Sequence, residues 1–349
     1  MNALVNAVAT QEIANGYRIP RVIRGGWQLA GEHGPVERER AIRDMAIFLD
    51  AGLNTVDGAD IYTGVEDIYG AFNAQRQAAG LPRMQVHTKF VPDFADLHRV
   101  DAAYVRRIIA RSLKRLNAER LDLVQFHWWN YAVPGYVEAA QALHGLQKEG
   151  LIANLGGTNF DVQRAQEMID AGVPLISMQT QYSLLDRRSA KFAEYPASPA
   201  MQLLCYGTLA GGFLTERWLN QPEPLAPIGN RSLVKYKLII DEFGTWAQFQ
   251  QLLRTLKTIA LRHTVSLASV AIRWVLEQPG VAAAIVGARY ADRIASTLEV
   301  FSFQLDGQDR ALLEPILAAC PGPAGDPYAL ERDKSGPHGR IMKYDLNKP

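Results

Sequence analysis

Cysteine is nearly absent from this chain: two occur in 349 residues, Cys205 and Cys320, far apart and without metal-ligand spacing. That excludes a disulfide scaffold and reads as two reduced thiols in a reducing compartment. Long hydrophobic runs are missing too. No apolar stretch approaches the roughly twenty residues needed to cross a bilayer, and residues Met1 to Ala14 lack the basic start and apolar centre of a secretory signal. A cytoplasmic protein is expected. There is almost no excess charge of either sign, with 37 Lys and Arg against 36 Asp and Glu, so nothing calls for nucleic acid or an anionic membrane as partner. A Gly-x-Gly-x-x-Gly directly after a strand is also lacking. Gly207-Thr208-Leu209-Ala210-Gly211-Gly212 is glycine-rich with the wrong spacing, which argues against a doubly wound dinucleotide fold.

What is present is an alternation. Hydrophobic residues make up 48% of the chain, enough for a sizeable core. From near residue 20 to near residue 300, short apolar runs read as strands and longer amphipathic stretches as helices. The strands are Val22 to Arg24, Thr55 to Asp57, Gln85 to Phe90, Leu121 to His127, Ile152 to Leu155, Leu175 to Gln179, Gln202 to Tyr206 and Val281 to Val286. Between them lie helical patterns at Glu37 to Ala51, Glu66 to Ala79, Asp101 to Leu116, Val137 to Glu149, Val162 to Ala171, Arg187 to Ala193, Trp246 to His263 and Leu267 to Gln278, with a final one at Asp292 to Val300. The basic run on Asp101 to Leu116 reads as a solvated helix face. Gly211 to about Gly244 is rich in Pro, Gly and Asn and reads as a long loop after the seventh strand. Eight strands alternating with helices are simplest as one parallel (β/α)8 TIM barrel of residues 1–320. Residues 321–349, rich in Pro, Gly and charge, read as a wrapping or mobile tail.

Four chemically able residues fall at or just past successive strand ends: Asp57, Tyr62, Lys89 and His127. Such ends converge on one mouth of a parallel barrel, where the fold keeps its chemistry. Taken singly, Asp57 could cap a turn, Tyr62 be a rim aromatic, Lys89 a solvated charge and His127 a satisfied core histidine. Together they can reduce a carbonyl. A phenol is a sluggish acid near neutral pH, and a neighbouring ammonium makes its proton easier to give up. Lys89 would tune Tyr62, Asp57 would hold Lys89, and His127 would hydrogen-bond the carbonyl oxygen.

This set resembles the Asp/Tyr/Lys/His tetrad of the aldo-keto reductases. The surrounding text is similar as well: Gly25-Gly26-Trp27, Val56-Asp57-Gly58-Ala59-Asp60-Ile61-Tyr62 followed by Glu66, and His127-Trp128. The resemblance implies a hairpin in the first twenty residues, plugging the barrel floor. It also implies that Thr158, Asn159 and Gln179 bind the nicotinamide carboxamide and that Tyr206 stacks under the ring, with Gly207 and Leu209 following it in the cofactor site. Asn159 could equally cap the next helix. Gly287, Arg289 and Arg293 lie where the family grips the adenosine 2′-phosphate, and the planar forks of the arginines suit that dianion. NADP is therefore expected over NAD. Where the family often has a basic residue and a Glu-Asn pair, this chain has Gly287 and Ser296-Thr297. Trp27, Trp128 and Trp129 would line a pocket for a small carbonyl or alcohol substrate.

Two other readings use the same residues. Some relatives hold the cofactor and serve as regulatory subunits with little turnover. A metal-dependent barrel hydrolase would want paired histidines such as His-x-His on one strand, and these are absent, so no metal is expected. A monomer or small homo-oligomer fits the family.

Overall fold

Along Leu121–Phe126 the side chains of Leu123 and Gln125 turn one way and those of Val124 and Phe126 the other. This is the two-residue period of a strand with different neighbours on its two faces. In the computed structural model, which describes residues 8–30, 34–194, 201–225 and 228–347, the same alternation recurs around a closed ring. A hairpin of β1 (Thr10–Ala14) and β2 (Tyr17–Pro20) comes first. Then follow β3 (Val22–Gly25), β4 (Thr55–Asp57), β5 (Gln85–Phe90), β6 (Leu121–Phe126), β7 (Ile152–Thr158), β8 (Leu175–Gln181), β9 (Gln202–Tyr206) and β10 (Val281–Gly287). Strands β3 to β10 pair in parallel, each with its sequence neighbour, and β10 returns to β3 to close the barrel. The chain is thus a (β/α)8 TIM barrel.

The outward faces pack on a ring of helices: α1 (Arg38–Asp50), α2 (Val65–Ala78), α3 (Ala102–Leu116), α4 (Tyr136–Lys148), α5 (Val162–Asp170), α6 (Arg231–Phe243), α7 (Trp246–His263), α8 (Leu267–Leu276), α9 (Ile294–Leu298) and α10 (Gly307–Ala319). Helix α3 shows the logic: Asp101 accepts from the Tyr104 amide at its N-cap, Val105, Ile108, Ile109 and Leu116 are buried, and Asn117 ends it in the left-handed region. Its arginines do face outward in part, and three of them find carboxylates: Arg106 with Glu149, Arg111 with Asp60 and Arg115 with Glu66.

The hairpin closes the N-terminal end of the barrel. Ile13 and Ile19 pack onto Ile23, Leu123, Leu204 and Ile285, all inside the strand ring. Tyr17 Oη lies 3.0 Å from His87 Nε2 on β5. Complete burial holds His87 neutral, its pKa pushed down to about 4. Among the described residues no single helix is long and apolar enough to cross a membrane.

Three expectations need correction. The segment Gly211 to Gly244 is not one long loop, because Arg231–Phe243 forms α6, capped by Asn230 and burying Tyr236, Ile239, Ile240 and Phe243. The pattern near Asp292 to Val300 is not one helix but a short α9 flanked by 3-10 turns. Helix α10, with Pro315 inside it, was not foreseen. The tail wraps rather than trails: α11 (Ala329–Arg332) and α12 (Pro337–Arg340) lie over the open end of the barrel.

Candidate active site

Strand register sets the site. Gly25 pairs with Asp57, Asp57 with His87, and Lys89 with Gln125. Asp57, Lys89, Gln125 and His127 therefore point into the barrel at neighbouring levels. Lys89 Nζ donates to Asp57 Oδ1 and Oδ2, each at 2.9 Å, and to the Gly58 carbonyl at 2.7 Å. The pair is buried, with only 6% of either side chain exposed. Asp57 Oδ1 also accepts from Gln125 Nε2 at 3.2 Å and Gln179 Nε2 at 2.6 Å. A buried carboxylate this well paired avoids the penalty of an isolated charge. Gly26 is required by close approach: its amide donates to the Asp57 carbonyl at 2.8 Å, and a Cβ there would lie 2.2 Å from the Tyr69 hydroxyl.

Tyr62 sits on the turn between β4 and α2. Asp60 holds that turn, accepting from the Val91 amide at 3.2 Å, while Arg115 donates to the Asp60 carbonyl at 3.0 Å. The Tyr62 ring leans on Trp27, centroids 5.0 Å apart, and Lys89 Nζ lies 5.2 Å from its centroid. The ammonium touches the ring face and gives its hydrogen bonds elsewhere. Burial, followed by the charge of Asp57, pushes the phenol well above its ordinary 10. The lowering expected from Lys89 does not prevail, because burial disfavours the charged phenolate most.

His127 Nδ1 lies 3.0 Å from the Thr158 carbonyl oxygen. A carbonyl can only accept, so Nδ1 carries the proton and the neutral ring offers the Nε2 lone pair. Burial, helped by the positive charge of Arg332, pushes this imidazole down to about 3. Nε2 is buried and has no hydrogen-bond partner among the described residues. In this tautomer the free ring atom, Nε2, can accept a hydrogen bond but has no proton to donate.

The cofactor candidates cluster at the ends of β7, β8 and β9. Thr158 pairs with Gln179 and Gln181 with Tyr206, and Tyr206 Oη donates to Asn159 Oδ1 at 2.9 Å. Gln179 directs its Nε2 inward to Asp57 and so ties this cluster to the ion pair. A hydroxyl, two amides and an aromatic face fit a nicotinamide, whose carboxamide needs donors and acceptors and whose ring stacks. Gly207, at φ +72, and Gly211 are covered by Tyr236 of α6, with Leu209 between them. Gly287 lies under the Gln28 side chain. Arg24 donates to the carbonyls of Ala288 and Arg289 and holds the loop that presents Arg289 and Arg293.

The three tryptophans part company. Trp27 faces Tyr62, and Trp129 meets His127 edge-on at 4.5 Å. Trp128 does not line the mouth: it is fully buried among Phe126 and the outer core and donates to the Val133 carbonyl. The alternation that points His127 inward sends its neighbour outward. Residues that the sequence did not single out complete the rim. Tyr328 meets His127 edge-on at 5.4 Å, and Tyr344 packs on Trp129 at 5.1 Å. Gln125 carried a readable signal, two residues before His127 on one strand face; the tail residues carried none, because their contacts are long-range.

The model of the aldo/keto reductase family matches residues 21–318. Aldo-keto reductase YhdN of Bacillus subtilis is 26% identical over 313 residues, covering 86% of this chain and 91% of the relative. Methylglyoxal reductase DkgA of Escherichia coli is 26% identical over 297 residues, covering 84% and 88%. The solved glycerol dehydrogenase of Gluconobacter oxydans superposes with a TM-score of 0.75 at 26% identity, covering 93% of this chain and 98% of that one. Barrel, strand-end residues and relatives agree: the chain belongs to the aldo/keto reductase family, oxidoreductases that interconvert carbonyl compounds and alcohols with a nicotinamide cofactor.

Proposed function

We propose that Tyr62 is the proton donor of this enzyme, that Lys89 and Asp57 support it, and that NADPH is the reductant of an aldehyde or ketone. One observation carries the reading: the buried Asp57–Lys89 pair lies against the Tyr62 ring on the same rim as His127. The bound nicotinamide supplies hydride to the carbonyl carbon; the remaining work falls to side chains. A phenol held above its ordinary pKa is fully protonated at neutral pH and can donate to the carbonyl oxygen. The phenolate left behind is favoured by the ammonium over its ring, and Asp57 keeps that ammonium fixed. His127 Nε2 accepts from the hydroxyl that forms, which orients the alcohol in either direction of reaction. Thr158, Asn159 and Tyr206 hold the nicotinamide end, and Arg289 with Arg293 the 2′-phosphate. Trp27 and Trp129 give the substrate an apolar wall.

The test is a fluorescence titration of the protein with NADPH and, in parallel, NADH, followed by an activated aromatic aldehyde. Tighter binding of NADPH and aldehyde-dependent loss of reduced cofactor support the reading. Binding without turnover of any aldehyde would favour a regulatory cofactor-binding subunit instead.

A further inference from the structure

The turn that carries Tyr62 is fastened to the strand that carries Lys89 by two buried carboxyl groups. Asp60, just before the phenol in the chain, accepts from the Val91 amide at 3.2 Å, and Glu66, in the first turn of α2, accepts from the Thr88 hydroxyl at 2.7 Å. Thr88 immediately precedes Lys89 on β5, and Val91 lies just past the end of that strand. The two contacts thus grip the chain on either side of the ammonium. Arg115 of α3 joins them from outside, donating to the Asp60 carbonyl at 3.0 Å and to Glu66 Oε2 at 3.4 Å. The main chain of Tyr62 is pinned between them: its amide donates to the Ala59 carbonyl and its carbonyl accepts from the Val65 amide, each at 3.0 Å.

Buried acids are a costly way to hold a turn. Asp60 and Glu66 are 3% and 1% exposed, and Asp60 Oδ1 is buried with no hydrogen-bond partner among the described residues. Burial, followed by the charge of Glu66, pushes the Asp60 carboxyl well above the ordinary carboxylate range. Apolar packing would hold two loops together without that penalty. What the carboxyls add is direction, because each offers a fixed acceptor to one chosen donor on the Lys89 strand. Direction matters here. Lys89 meets Tyr62 across the ring face, a contact that leaves the angle and spacing of the two groups loose, so the two main chains must set them.

We infer that Asp60 and Glu66 are positioning residues that hold the Tyr62 phenol against the Lys89 ammonium, so that losing either slows proton transfer while cofactor and substrate still bind. The inference rests on Tyr62 and Lys89 being the acid and its supporting cation. A displacement of about 1 Å between groups so placed lowers a rate about 10²-fold.

The experiment uses the full chain with NADPH and an activated aromatic aldehyde. Asp60→Ala and Glu66→Ala remove the acceptors; Asp60→Asn and Glu66→Gln keep an acceptor oxygen in the same place. Rates are normalised to the fraction of protein that binds NADPH in a fluorescence titration. D60A and E66A are expected to lower kcat about 10- to 100-fold. NADPH affinity and the KM of the aldehyde should stay within about threefold of wild type, and D60N and E66Q should recover most of the rate. The solvent isotope effect on kcat, D2O against H2O, should rise in the slowed variants because proton transfer becomes the slow step. A loosened fold would instead lose active protein and leave that effect as in wild type. Normalised kcat within about threefold of wild type in both alanine variants, or a fall with an unchanged solvent isotope effect, would overturn the inference. If the alanine variants do not fold, Thr88→Val, which removes the hydroxyl and keeps the shape, carries the same expectations for rate and isotope effect. Near-normal turnover in Tyr62→Phe would count against the assignment of the acid instead.

Discussion

Lys89 reaches Tyr62 through the face of its ring, 5.2 Å from the centroid, while three acceptors, two on Asp57 and one on Gly58, surround its ammonium. The phenol and the ammonium therefore meet across the ring face, and the hydrogen bonds of Lys89 go to Asp57 and Gly58. Removing the phenolic hydroxyl therefore leaves the ion pair in place. Tyr62→Phe is expected to lower turnover about 10²- to 10⁴-fold, the usual worth of a general acid. NADPH affinity should stay within about threefold of wild type. Stopped-flow reduction and fluorescence titration check the two halves, and near-normal turnover would remove Tyr62 from the role.

The ion pair makes a stability prediction. Asp57→Asn or Lys89→Met alone leaves a buried, uncompensated charge and should cost about 3–5 kcal/mol in urea unfolding. The double variant should cost clearly less than the two added together, because both charges leave at once. Additive losses would mean that the two side chains are not energetically paired.

His87 predicts how the fold responds to acid. Its folded pKa is about 4 against an ordinary 6.5, so between those values the unfolded chain binds a proton that the native chain refuses. Stability is full above pH 6.5 and falls as pH drops towards 4, by about 3 kcal/mol from this residue. His127, pushed down to about 3, adds to the same slope. Denaturant midpoints at pH 7 and pH 4.5 should differ strongly in wild type and less in His87→Gln. An unchanged slope in the variant would show that His87 does not resist protonation in the native state.

Arg289 and Arg293 predict cofactor choice. If they grip the 2′-phosphate as proposed, Arg289→Ala and Arg293→Ala should each weaken NADPH binding about tenfold or more, the worth of a charge-assisted contact to a dianion. NADH, which lacks the phosphate, should be affected less than about threefold. Parallel titrations decide it; equal weakening of both nucleotides would place the arginines away from the 2′-phosphate.

Much of this was legible in the chain because a barrel writes its site at strand ends. Asp57, Lys89 and His127 stand where apolar runs stop, so counting strands was enough to bring them together. Trp128 lies apart from the expected pocket because the strand period turns it away from His127 and into the outer core. Helix α6 was hidden by the Pro and Gly around it, although Tyr236, Ile239, Ile240 and Phe243 already repeat at helical spacing. The tail was unreadable for a different reason. Tyr328, Arg332 and Tyr344 gain their meaning only from partners about 200 residues earlier, and no local pattern encodes that.

The hairpin under the barrel has a consequence for how the molecule can be handled. With Ile13 and Ile19 stopping the lower end, the bore is a dead-end shaft, and reactants and products share the upper doorway. Whatever is attached or altered beneath that stopper, whether a surface anchor, a fluorescent label or a new binding loop, is screened from the traffic by the full height of the strands. The lower face is therefore the place to build on, and the tail the place to leave untouched.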